Sequence, residues 1–221
     1  MRTKCVRRQL PSTGGGADPF LCFPRAGDGL GWQYQVMSAT DVAARFDRLS
    51  QQLADRIRAV PEGAWDNPSP CEGWTARDVV AHLVEWIPGY LGAHGVPTPD
   101  LPPVADDPLG AWTAVADVVR SALADPATAE RPVETPYFTR PLAEIVDMIV
   151  TSDVMVHGWD LARATGQDEV LDPEMVQRML ASVGSMPEEA MQAGGMFGPR
   201  VEVPEGADDQ TKLLALLGRR A

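Results

Sequence analysis

Apolar residues that return every three or four positions, in four separate long segments, leave this chain little choice but to pack helix on helix. From Thr40 the pattern runs through Val42, Phe46, Leu49, Leu53, Ile57 and Val60, with Arg, Asp and Gln between them, until Pro61 breaks it. Thr75 followed three residues later by Asp78 reads as a capping-box opening for a second helix carrying Val79, Val80, Leu83, Val84, Trp86, Ile87 and Tyr90, which fades over Gly92 to Gly95. A third carries Trp112, Val115, Val118, Val119 and Leu123, with Pro126 just beyond its end, and the longest spans Pro141 to Ala164 and stops at Gly166. A fifth helix is expected from Pro173 to Met191 and a short last one from Gln210 to Leu217, while ERPVETPYFTRP reads as an extended excursion. Continuous strand patterns are scarce, so the expected fold is all-α: an up-down four-helix bundle with one or two additional C-terminal helices. Its connections of about 15 residues are long for a minimal bundle, and loops of that length often shape a pocket.

The charge balance narrows the function classes. A formal net charge of −12 argues against nucleic acid, whose phosphates are bound by clustered Lys and Arg. No apolar run approaches the roughly 18 residues of a membrane span. Cys5, Cys22 and Cys71 are too scattered for a disulfide framework or a thiolate metal cage, so a reducing, cytoplasmic compartment is expected. Residues 1–36 run against the rest: Arg2, Lys4, Arg7, Arg8 and Arg25 outnumber Asp18 and Asp28, a Gly14 to Gly16 run interrupts them, and no periodicity is visible. They read as a disordered leader before a single domain from Met37 to Ala221. Translation beginning at Met37 is one explanation, and a genuine flexible tail is the other. The opening lacks the apolar segment of a secretion signal.

Within the long fourth segment, Leu142, Ile145, Val146, Ile149 and Val150 define an inward stripe that continues onto Asp153, Val156, His157, Asp160 and Ala164. A carboxylate in an apolar seam is costly unless paired, protonated or bound to a metal. Asp153 and His157 are one turn apart and reach a common point, and His82 shares an inward face with Val79 and Trp86 on the second helix. Two imidazoles and one carboxylate leave room for water or substrate, the donor set of an open zinc or non-haem iron site. The same spacing also suits a hydrogen-bonded core histidine and a simple charge pair. His94 stands in a Gly-bounded loop, Glu85 reads as solvent-facing and Asp78 as a helix-start charge.

PSPCEGWTARDVVAHLVEW and DVMVHGWDLARATG resemble the two signature segments of the DinB-like metal-binding superfamily, in the branch that contains mycothiol-dependent maleylpyruvate isomerase metal-binding domains. FGPRVEVP followed by DDQTKLLALLGR resembles a compact actinobacterial metal-binding group of that branch, so the likeness spans Met37 to Ala221. It implies a four-helix bundle holding one divalent ion, zinc first with nickel or iron as alternatives, through His82, Asp153 and His157. The isomerase more often has Glu where Asp153 stands, which shortens the reach here. Trp159 and Asp160, from the HGWD segment, read either as residues that orient a ligand or line the pocket, or as core packing and an Asp held by an Arg. Cys71 reads as a small buried packing residue rather than a redox thiol.

The resemblance further implies thiol-dependent chemistry on a small-molecule substrate, with a low-molecular-weight thiol such as mycothiol bound as thiolate. The isomerase has a separate C-terminal domain that contributes to its active site, whereas this chain ends soon after the bundle, so a thiol transferase is expected ahead of maleylpyruvate isomerisation. The competing class is a non-catalytic metal-binding or ligand-sensing module.

Overall fold

The structure is a computed structural model that describes residues 37–134, 139–184 and 198–221. The expected leader and the distal part of the fifth expected helix lie outside the described residues. Helix α1 (Ala39–Arg58) starts at Ser38, whose hydroxyl accepts from the Asp41 amide. Helix α2 (Ala76–Ala93) has the capping box read from its sequence: the Thr75 hydroxyl accepts from the Asp78 amide and Asp78 accepts from the Thr75 amide. Helix α3 (Pro108–Ala124) opens on Asp107 with proline in its first turn, where no amide hydrogen is needed. The short α4 (Pro126–Ala129) follows. Part of the extended excursion forms a two-stranded antiparallel ribbon, β1 (Pro132–Glu134) with β2 (Thr139–Pro141), in which Val133 pairs with Arg140.

The fourth long segment is helical as expected, with a change of pitch inside it. It begins as α5 (Leu142–Ile145), widens into a π-helical stretch (Val146–Thr151) and resumes as α6 (Ser152–Thr165), ending on left-handed Gly166. A π-turn admits an extra residue and re-phases the helix, and such turns gather near functional positions. The straight α-helical stripe therefore needs correction. Ile149, read as inward, is only partly buried, whereas Asp147, which the stripe leaves out, is fully buried. Asp147 accepts two hydrogen bonds from Arg45 of α1, at 2.7 and 2.9 Å, and one from Arg178 at 3.1 Å. Arg45 also donates to Glu174 at 2.8 Å. Arg178 and Glu174 belong to α7 (Pro173–Val183), so this ion network ties α1, the π-stretch and α7 together.

Helices α1 and α2 each pack against both α3 and α6, so the chain occupies the bundle corners in the order α1, α3, α2, α6. Consecutive helices α1 and α2 stand across a diagonal, which is why residues 59–75 form a long connection. Phe46, Leu53, Leu83, Ile87, Trp112 and Leu161 are wholly buried between these helices, each side chain contributing about 1.5–3 kcal/mol by leaving water. The last helix, α8 (Asp209–Leu216), packs on α7 through buried Leu213 and Leu214. Among the described residues the fold is thus a helical bundle with two further helices at its C-terminal side. No helix among the described residues is long and apolar enough to cross a membrane.

Candidate metal centre

The α2 and α6 helices face each other, and each contributes to one polar cluster in an otherwise apolar interface. His82 comes from the second turn of α2, which the Thr75 and Asp78 box fixes in place, and Asp153 and His157 come from successive turns of α6. Nitrogen and oxygen atoms of these three side chains all lie within 4.8 Å of one another. His82 Nε2 is 3.5 Å from Asp153 Oδ2, and His157 Nε2 is 3.4 Å from Asp153 Oδ1. Donors arranged tetrahedrally around zinc at the usual bond lengths stand about 3.4 Å apart, whereas a charged N–H···O bond closes to about 2.7–2.9 Å. Both separations are longer than a direct charged hydrogen bond and close to that donor spacing, each to a different oxygen of Asp153.

Aromatic rings frame the cluster. Trp74 lies 4.9 Å from the His82 ring and is stacked at 5.8 Å on the His157 ring, while the two imidazoles meet edge-on at 4.9 Å. Trp74 is carried there by the turn before α2, where Gly73 takes a positive φ of 80° and the Trp74 amide donates to the Cys71 carbonyl. On the opposite flank Trp86 Nε1 donates to Asp153 Oδ2 at 2.8 Å. His157 forms the floor with 6% of its side chain exposed, and His82 and Asp153, at 28% and 29%, leave one flank open.

Beneath His157 stands a second layer. Its Nδ1 is 2.9 Å from Asp160 Oδ2. Arg219 grips the same carboxylate with both arms of its guanidinium, Nε to Oδ1 at 2.8 Å and Nη2 to Oδ2 at 2.7 Å, and Cys71 Sγ lies 3.5 Å from Oδ2. Burial pushes the Asp160 carboxyl up, but the charge and hydrogen bonds of Arg219, with those of His157, hold it far below the usual carboxylate range. An ionised carboxylate only accepts, so His157 Nδ1 carries a hydrogen and donates it, and Nε2 is the atom turned to Asp153 and His82.

Asp153 itself is pushed up by burial and pulled down further by the charges of His157 and His82, for a net lowering. His157 is pushed down by burial and raised more strongly by Asp153 and Asp160. A raised folded-state value means that the protonated imidazole stabilises the metal-free fold. That contribution is complete below the ordinary histidine value of 6.5 and is lost as pH rises through the higher folded value. The metal-free chain is therefore expected to lose stability on that basic side, and urea titrations of wild type and His157→Gln across neutral pH check this. Parallel pH profiles for the two proteins would count against the assignment.

Among the other sequence candidates, Asp160 both orients His157 and is held by an arginine, so its two readings coexist. Trp159 points elsewhere: it is fully buried, with the Arg163 guanidinium 4.9 Å over its ring, and its indole N–H has no partner among the described residues. Cys71 is buried and lies against Asp160 and Arg219. Glu85 is exposed, and His94 caps α2 beside Tyr90, its ring 4.7 Å away. Sequence reasoning missed Arg219 and Trp74. Nothing local marks Arg219 as buried except its place directly after an apolar helix face and a glycine.

Residues 46–162 match the family described as mycothiol maleylpyruvate isomerase N-terminal domain, a span that includes His82, Asp153, His157 and Asp160. Uncharacterized proteins from two strains of Mycobacterium tuberculosis are 32% identical to the chain over 187 residues, covering 81% of it and 98% of their own length. No solved structure matches. By fold, by the matched span and by these relatives, the chain belongs to the mycothiol maleylpyruvate isomerase N-terminal domain family, which is DinB-like.

Proposed function

We propose that the protein holds one divalent metal ion, zinc by preference, through His82, Asp153 and His157, and uses it to bind a low-molecular-weight thiol for a transfer reaction. The observation that carries this reading is the convergence of two imidazole nitrogens and a carboxylate oxygen from two helices at ligand spacing, with one flank open. Family membership supports it, since the family's description names a mycothiol enzyme.

The chain's own residues do the preparatory work. Asp160 accepts the hydrogen bond of His157 Nδ1–H, so the Nε2 lone pair faces the site. Trp86 donates to Asp153 Oδ2, the oxygen nearer His82, and so fixes the carboxylate with Oδ1 towards His157. Trp74 covers both imidazoles and keeps water from that side. A divalent ion bound there supplies Lewis acidity and lowers the pKa of a thiol or water that reaches it.

Cobalt in place of the native ion reports thiol binding directly. Millimolar thiol should produce a sulfur-to-metal charge-transfer band that is absent in His157→Ala and unchanged in Cys71→Ser. A spectrum indifferent to thiol would count against thiol chemistry. A second reading, a metal-binding or ligand-sensing module without turnover, is favoured by one observation. Asp160, the further carboxylate of the cluster, is fully buried and held ionised at both oxygens by Arg219 and His157, so it is poorly placed to shuttle protons. A thiol band without consumption of thiol in the presence of electrophiles would support that reading.

A further inference from the structure

Burying an arginine is costly, and this chain arranges its backbone to do so. After α8, Gly218 takes a φ of +79°, a conformation that disfavours any side chain, and a Cβ there would stand 2.8 Å from the Gly198 Cα. The turn sends Arg219 inward, its amide donating to the Leu214 carbonyl at 2.7 Å, until its side chain is 3% exposed. Leu213, Leu214 and Leu217, all wholly buried, anchor the segment that delivers it. The guanidinium ends on Asp160, with Nη1 on the Leu217 carbonyl at 3.2 Å and Nη2 3.7 Å from Cys71 Sγ.

Asp160 in turn is held at both of its oxygens. The Arg219 fork donates to both, His157 Nδ1 to Oδ2, and the Cys71 thiol stands against that same oxygen. A planar fork fixes a carboxylate in both position and plane, which a single lysine contact does not. Asp160 thereby has one orientation, and the His157 ring that donates to it has one orientation too.

We propose that Arg219 is a positioning residue for the metal centre: acting through Asp160, it sets the His157 ring so that Nε2 meets Asp153 and His82. The inference rests on the three-donor reading above. It also gives the C-terminal helix a role in the site, since Arg219 lies outside the family-matched residues 46–162. Partners that orient a ligating histidine typically contribute tenfold to a hundredfold in metal affinity.

Cobalt affinity and melting temperature, measured together on untagged full chains, test this. Arg219→Met should weaken cobalt binding by at least about tenfold, and Arg219→Lys, which keeps the charge but not the fork, should fall between Arg219→Met and wild type. The double variant Arg219→Met with Asp160→Asn removes the unpaired buried charge, so it should regain melting temperature without regaining affinity. Affinity within twofold of wild type in Arg219→Met, or affinity restored along with melting temperature in the double variant, would show Arg219 to be only a structural pin. A wild-type chain that takes up no cobalt would instead overturn the three-donor reading itself.

Discussion

Asp147→Ala is expected to destabilise the fold by about 3 kcal/mol, at the lower end of what breaking a buried ion pair costs, while leaving metal affinity within a few-fold of wild type. Asp147 is wholly buried and accepts from Arg45 and Arg178. Arg45 is itself 3% exposed, so removal of the carboxylate leaves a guanidinium inside the bundle with Glu174 as its remaining ion-pair partner among the described residues. That partner is why the cost is placed at the lower end. The π-stretch loses its tie to α1 and α7, but His82, Asp153 and His157 keep their own contacts. Urea denaturation followed by circular dichroism, beside cobalt titration, measures both quantities, and a change below about 1 kcal/mol would mean the network is not sustaining the π-stretch.

His157→Ala should do the reverse. The bundle survives, because the substitution removes one side chain from the α2 and α6 interface and leaves the large apolar core intact. Metal, however, is left with His82 and Asp153, two protein donors on the more exposed flank, and stoichiometric binding is lost. Asp160 then keeps its Arg219 partner but no longer has an imidazole to orient. Retention of full metal occupancy in a folded His157→Ala protein would contradict its assignment as a ligand. Together the two variants separate stability from metal binding in opposite directions, which a general loss of structure does not produce.

The parts of this molecule that were legible in the sequence are those set by short spacings. Helical periodicity located α1, α2, α3 and the long fourth segment, and the capping box at Thr75 and Asp78 has the hydrogen bonds expected of it. Asp153 and His157 share a face because they are one turn apart, and His82 faces them because Val79 and Trp86 bury the same side of α2. What was not legible depends on contacts distant in sequence. The Asp160 and Arg219 pair joins α6 to the end of the chain through a glycine turn, and neither residue alone announces the other. Trp74 reaches the imidazoles only because Gly73 bends the preceding turn. The buried network did leave one overlooked signal: Arg45 occupies a position of the α1 apolar stripe, three residues after Val42 and four before Leu49, where a charge needs an opposite partner. The π-stretch left none, because a change of pitch shifts the phase of a stripe without changing its composition.

The central claim is that His82, Asp153 and His157 hold one metal ion, and metal content per chain tests it most directly. Elemental analysis of protein purified without a polyhistidine tag should find about one divalent ion per wild-type chain and little or none in folded His82→Ala, Asp153→Ala and His157→Ala, with Asp153→Glu retaining more than Asp153→Ala. Wild-type protein devoid of metal after exposure to zinc, or occupancy unchanged across the three alanine variants, would contradict it.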